Sequence, residues 1–239
     1  MAISEVEYND KSFSLSYHLI NPSAEKTIII LHGWGSNKEI MKNSFSPYLK
    51  EFKQIYLDLP GFGQSVNEDS ILTTKDYANI VQNFLDNIGA NKDIIAGHSF
   101  GGKVATLLKP KCLVLLSSAG ILVPKPFKIR AKIAIFKALK PFGISKLRKL
   151  FVSDDAKEMN KAMYETFKNV VDEEFEDNFK KYKGKALLFW GIDDTATPLW
   201  TAKKIANHIK DSKIYELEGD HFFFVNHAKT ISENIKREC

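Results

Sequence analysis

Short apolar runs rich in β-branched residues alternate along this chain with helical patterns, and nearly every run ends on a loop that carries glycine. The runs are TIIILHG (Thr27–Gly33), QIYLDLPG (Gln54–Gly61), DIIAG from Asp93, CLVLLSS from Cys112, ALLFWG (Ala186–Gly191) and KIYELEG from Lys213. Such runs are too short and too uniformly apolar for surface helices, and they read as strands buried on both faces. Between them, Asn37–Lys50 reads as a helix. Thr73 and Thr74 precede DYANIVQNFLDNIG, whose Tyr77, Ile80, Val81, Phe84, Leu85 and Ile88 recur at helical spacing before Gly89 ends the pattern. A short helix is expected over Phe100–Leu108, another over Thr201–Ile209, and a last one near the C-terminus. At the front, VEYND and FSLSYHLI read as a hairpin turning at Asn9-Asp10.

Strands that alternate with helices imply a mostly parallel central sheet flanked by helices on both faces. Loops at the C-terminal ends of the strands then build the site. The informative loops open at His32, Leu59, Ser99, Gly191 and Asp220.

With 239 residues, 44% of them hydrophobic and 26% charged, the chain has enough apolar side chain for one well-filled core. No apolar run is long enough to cross a bilayer, and MAISEVEYND lacks the basic-then-apolar pattern of a signal peptide. Its two cysteines, Cys112 inside an apolar run and Cys239 at the end, do not suggest a disulfide framework. A cytoplasmic location is the expectation. No Cys/His cluster has metal-ligand spacing, so no metal and no cofactor are expected. The net charge of +5 is modest, and nucleic acid is not an expected partner. Its distribution is uneven: Gly120 to Ser153 contains Lys and Arg but no acid, whereas acids dominate from Asp154 to Asp177.

Chemistry enters at DIIAGHSFGG. Gly97-His98-Ser99-Phe100-Gly101 fits a G-x-S-x-G turn between strand and helix, tight enough that the flanking positions must be small. A serine is a weak nucleophile until a base takes its proton, and the base needs a third group to orient it. WGIDDTATP, at the end of one later strand, offers Asp193 and Asp194; EGDHFFF, at the end of the last, offers His221. The order Ser, Asp, His is the one this kind of turn calls for.

LHGWGSN, DLPGFGQS, AGHSFGGK, WGIDDTATP and GDHFFF together resemble the successive signature loops of the α/β-hydrolase superfamily, over essentially the whole chain. The resemblance implies a single α/β-hydrolase domain with a core of residues 1–119 and 184–239 and a small helical cap inserted at about 120–183. It places the acid on Asp194, three residues after the strand-end Gly191 and four before Pro198, with Asp193 second, and the base on His221. It also implies an oxyanion hole from the backbone N–H groups of Trp34 and Phe100. More narrowly, SSAGILVPKP and DDTATPL resemble a bacterial subgroup of uncharacterised serine hydrolases with a small basic cap. One departure stands out: Ser99 to Cys112 leaves a shorter helix than is usual after the elbow.

The expected function is a serine hydrolase acting on a carboxylic ester or related small-molecule acyl substrate through Ser99, Asp194 and His221. Carbon–carbon bond hydrolysis by the same residues and a non-catalytic ligand-binding module are the alternatives. His98 and His32 are expected to shape their loops, Trp34 and Phe62 to line the pocket, and His18, His208 and His227 to lie outside the site. In the insert, FKIRAKIAIFKALK sets Phe127, Ala131, Ile135 and Leu139 against Lys128, Arg130, Lys132 and Lys137. That pattern fits an amphipathic helix with solvated lysines, a dock for an anionic or carrier-bound substrate, or a membrane-surface segment.

Overall fold

The computed structural model describes residues 1–124 and 160–239. Its eight strands are β1 (Ala2–Tyr8), β2 (Lys11–Ile20), β3 (Thr27–Leu31), β4 (Lys53–Leu57), β5 (Ile94–His98), β6 (Cys112–Leu116), β7 (Lys185–Gly191) and β8 (Ser212–Leu217). They form one sheet in the order β1-β2-β4-β3-β5-β6-β7-β8. β1 and β2 pair antiparallel at one edge, and β2 meets β4 antiparallel. Every pairing from β4 through to β8 is parallel. The order reverses at β3, which has β4 on one side and β5 on the other. Loops from β3 and β5 therefore diverge at a crevice, where open sheets of this kind bind ligands.

Each element expected in residues 1–119 and 184–239 is present. The hairpin turns at Asn9 and Asp10 with φ of 49° and 59°, the left-handed pair that a two-residue turn needs and that Asn and Asp tolerate. α2 (Thr74–Asn87) starts on a capping box: the Thr73 side chain accepts from Asp76 N–H while the Asp76 carboxylate takes Thr73 N–H. α3 (Phe100–Leu108) is short, as the spacing implied; Lys109 turns left-handed at φ 52° and releases the chain toward β6. The helix expected over Asn37–Lys50 is divided. α1 (Lys38–Phe45) gives way to a 3-10 turn over Ser46–Tyr48, because Pro47 has no N–H to continue the α ladder.

Side-chain alternation along the strands makes two cores. Ile29 and Leu31 face a layer with Tyr77, Ile80 and Phe84 of α2, Val104 of α3, and Ala202 and Ile205 of α6 (Leu199–His208). Ile28 and Ile30 face the other, with Met41 and Phe45 of α1 and Phe224, Ile231 and Ile235 of α7 (Phe224–Glu238). Helices thus cover both faces, and β3 is buried throughout. α4 (Lys161–Val171) and α5 (Glu176–Lys181) come between β6 and β7. The basic segment with Lys128, Arg130, Lys132 and Lys137 lies outside the described residues. Among the described residues no helix is long and apolar enough to cross a membrane.

One expectation is corrected. Cys112 and Cys239 form a disulfide, with Cα atoms 5.8 Å apart and a sequence separation of 127. β6 begins at Cys112, and α7 packs along the same face of the sheet so that the last residue arrives beside it. Pairing of this kind follows from helix placement and has no local sequence signal. The inference from cysteine usage to a reducing compartment loses its premise.

Candidate active site

β5 ends at His98, and the chain reverses at Ser99 with φ 50° and ψ −115°. A non-glycine residue rarely adopts positive φ, which costs on the order of 1–3 kcal/mol and is tolerated only where the surroundings impose it. Here they do. Ser99 N–H donates to Leu116 O at 3.1 Å, and Ser99 O accepts from Gly102 N–H and Ala119 N–H at 3.0 Å each. The small residues are equally dictated: a Cβ on Gly97 would collide with the Gly101 carbonyl, one on Gly102 with Ser118 Oγ, and one on Gly101 would stand 2.5 Å from His32 O. The Ser99 side chain makes no capping bond to α3, so its hydroxyl is not consumed by the helix.

The loop after β3 is fixed from beneath. His32 Nδ1–H donates to Gly33 O at 2.7 Å, and Leu59 N–H donates to His32 Nε2 at 3.0 Å, which settles the tautomer. Burial pushes this imidazole down to about 4, keeping it neutral. Beside it, Lys38 Nζ and Asp58 Oδ2 form a buried ion pair at 2.6 Å; Asp58 also accepts from Lys38 N–H at 2.7 Å and Gln64 N–H at 2.9 Å. Every charge in this cluster is matched, and the loops after β3 and β4 are locked together. A Cβ on Gly33 would come 3.1 Å from Ser99 Cβ, so the first loop lies directly against the elbow. Trp34 follows, its ring packed at 4.8 Å on Phe62, 5.5 Å on Phe100 and 5.3 Å on Phe167 of α4.

The third part comes from the ends of β7 and β8. A side chain at Gly191 would strike the Gly219 and Asp220 carbonyls, so only glycine lets these two loops touch. Across that contact His221 Nδ1–H donates to Asp194 Oδ2 at 2.8 Å. Asp194 is buried and also accepts from Ala196 N–H (2.8 Å), Thr197 N–H (2.9 Å) and Thr197 Oγ1 (2.8 Å). Burial alone would raise its pKa; the hydrogen bonds from His221 and Thr197 outweigh that and hold the carboxyl at about 2. Asp193 points to solvent, with only its backbone N–H engaged, to Gly219 O at 3.0 Å.

His98 links the two halves. Its Nε2–H donates to His221 O at 2.9 Å, and the two rings lie 4.7 Å apart. Burial, reinforced by His221, pushes His98 down to about 3, so it stays neutral beside its neighbour. The other histidines serve elsewhere: His18 on Glu39, His208 on Glu176, His227 on Glu218 O. His98 was expected to shape its loop, whereas two contributors had no sequence-level signal of their own: the Thr197 bonds and the Lys38–Asp58 pair. Gly191 was visible as a strand-end glycine. Among the described residues no group of His, Cys, Asp and Glu is arranged to hold a metal ion.

α4 crosses this region. Leu72 N–H donates to Thr166 Oγ1 at 2.9 Å, and buried Lys103 of α3 reaches Val170 O at 2.7 Å and Glu173 at 2.6 Å. The elbow helix is thereby tied to the C-terminal end of α4, where a cation is favoured.

Residues 28–233 match the model of a family described as alpha/beta hydrolase. Among curated proteins, the chain is 26% identical over 255 aligned residues to an uncharacterized hydrolase, YugF, of Bacillus subtilis, covering 91% of each. It is 38% identical over 96 residues to the pimeloyl-[acyl-carrier protein] methyl ester esterase of Shewanella woodyi, a match that spans 39% of this chain and 34% of that one. Among solved structures, an esterase from Exiguobacterium antarcticum superposes with a TM-score of 0.76 at 18% identity, covering 98% of both chains, a likeness of fold.

Proposed function

The chain belongs to the alpha/beta hydrolase family, and from that premise we propose that it is a serine hydrolase of carboxylic esters. The observation that carries this reading is the Asp194–His221 hydrogen bond, on a loop that His98, the residue before a serine held at positive φ, binds through the His221 carbonyl. Ser99 Oγ attacks the acyl carbon and His221 Nε2 takes its proton, while Asp194 fixes the imidazole through Nδ1 and stabilises its cation. The N–H groups of Trp34 and Phe100 receive the oxyanion. Phe100 is the first residue of α3, where N–H groups are free and the helix dipole favours negative charge. Such donors are worth about 10²–10³ in rate each. His221 then protonates the departing alcohol, and a water activated by the same ring releases the acid from Ser99.

Residues 120–183 act as the cap in this reading; α4 and α5 are described in it, and α4 packs on Trp34 through Phe167. The Shewanella woodyi relative is named for a methyl ester on a carrier-bound acyl group; an anionic or carrier-bound substrate guided by Lys128, Arg130, Lys132 and Lys137 is the corresponding proposal here. A panel of acyl esters and vinylogous-diketone carbon–carbon substrates, run with wild type and Ser99→Ala, tests the function. Ester turnover abolished by Ser99→Ala is expected. Turnover of the diketones alone would assign carbon–carbon hydrolysis, and turnover of neither would contradict a hydrolytic role on these substrates.

A further inference from the structure

β6 supplies no group to the proposed reaction, yet the chain is strained where it ends. Ser117, directly after the strand, is buried at φ 43°, a left-handed conformation that a serine adopts only where its surroundings impose it. Its N–H donates to Phe189 O of β7 at 2.9 Å, and its carbonyl accepts from Thr197 Oγ1 at 3.1 Å. Thr197 is held from a second side: buried Trp190 of β7 donates its indole N–H to Thr197 O at 2.7 Å. The hydroxyl placed in this way lies 2.8 Å from Asp194 Oδ2, the oxygen that also takes His221 Nδ1–H at 2.8 Å. A hydroxyl has one hydrogen, and the nearer, charged acceptor takes the larger share of it.

The two oxygens of Asp194 are thereby filled: Oδ1 by Ala196 N–H and Thr197 N–H, Oδ2 by His221 and the Thr197 hydroxyl, four donors for the lone pairs a carboxylate offers. Both donors on Oδ1 are main-chain groups, which any side chain at position 197 would leave in place. Among the described residues, the hydroxyl is the only partner of Oδ2 besides the imidazole that this oxygen has to orient. Without it the carboxylate is free to pivot about Oδ1 and carry Oδ2 off the line to Nδ1. We propose that Thr197 is a positioning residue, whose hydroxyl fixes Asp194 Oδ2 against His221 Nδ1 and is itself aimed by Ser117 and Trp190. This rests on the Ser99, Asp194 and His221 reading of the same site and deepens it.

Three variants separate the hydroxyl from the bulk that carries it. Thr197→Val keeps the branched shape without the hydroxyl, Thr197→Ser keeps the hydroxyl without the methyl, and Thr197→Ala loses both. Each variant that circular dichroism shows to be folded is assayed by kcat and KM on 4-nitrophenyl acetate and by its rate of labelling with a fluorophosphonate. Rates are expected to follow the hydroxyl: kcat and labelling about tenfold down in Thr197→Val and Thr197→Ala with KM little changed, and most of that loss recovered in Thr197→Ser. Should Thr197→Val not fold, the Ser and Ala variants decide by the same rule. Rates that follow the methyl, or that are equal across the series, would overturn this proposal and leave the hydrolase reading standing. A folded wild type that is neither labelled nor active on the ester would overturn both.

Discussion

The ring of His98, the residue before Ser99, donates through Nε2–H to the backbone carbonyl of His221 at 2.9 Å. The elbow and the base loop are thus joined by one hydrogen bond between residues 123 apart in sequence. Because His98 is held neutral, the joint adds no positive charge beside the imidazolium that the proposed mechanism places on His221. In the proposed mechanism His98 is a positioning residue. His98→Phe is expected to lower kcat about ten- to a hundredfold with little change in KM, as small misplacements of a catalytic group do. His98→Gln, which keeps an amide donor near the Nε2 position, should recover much of the loss. Equal losses in kcat for both variants would contradict the positioning role.

Asp194 and Asp193 are adjacent yet sit in opposite environments, one buried on His221 and Thr197, the other in solvent. Asp194→Asn is expected to cost about 10⁴ in kcat, the magnitude seen when a triad carboxylate becomes an amide. Asp193→Asn should stay within about twofold. Steady-state kinetics on one activated ester decides; the reverse ranking would move the acid role to Asp193.

Much of this arrangement was legible in the residues. Strand-end glycines marked the loops, the Ser-Asp-His order set the candidates, and Gly97 and Gly101 announced a backbone approach that the structure displays. What was not legible depends on where loops finally lie. The choice of Asp194 over Asp193 came only with family spacing, because two neighbouring carboxylates look alike until one is folded against an imidazole. The Lys38–Asp58 pair was invisible, since a lysine at a helix start reads as solvated and here it is buried. Cys239 gave no hint of Cys112, because the contact is made by the length and direction of α7.

Close approach at Gly191 supplies a third prediction. A methyl group there would drive the β7 and β8 loops apart and lengthen the Asp194–His221 bond. Gly191→Ala is expected to lose on the order of 2 kcal/mol of stability and most of the ester turnover. Denaturation midpoints and kcat matching wild type would show that the loops need no such contact.

Stability should depend on pH through the two buried imidazoles. His32 and His98 sit near 4 and 3 in the folded chain, against 6.5 when exposed. Between those values the unfolded chain binds protons that the folded chain refuses, so stability is complete above about pH 6.5 and is lost as pH falls toward 4. Asp194, held near 2, adds its own loss only below its ordinary value of 3.8. Urea midpoints are expected to decline from pH 7.5 to 4.5, and less steeply in His98→Gln. A midpoint that is flat across this range would be the contrary result.

The Cys112–Cys239 bond closes a loop of more than half the chain. A cross-link of that span stabilises by about 2–4 kcal/mol. Cys239→Ser is expected to lower the melting temperature by about 5–15 °C without altering ester turnover, since Cys239 lies far along the sheet from the strand ends that carry the site. An unchanged melting temperature in non-reducing buffer would mean that the bond adds nothing to the folded state.

The central claim is that Ser99 is a nucleophile activated by His221, and reaction with a fluorophosphonate tests it without knowledge of the substrate. Intact-mass analysis should show one adduct per wild-type chain, mapped to Ser99, with none on Ser99→Ala and greatly slowed labelling of His221→Ala. Labelling that persists in Ser99→Ala, or a folded wild-type protein that takes up no adduct, would contradict it.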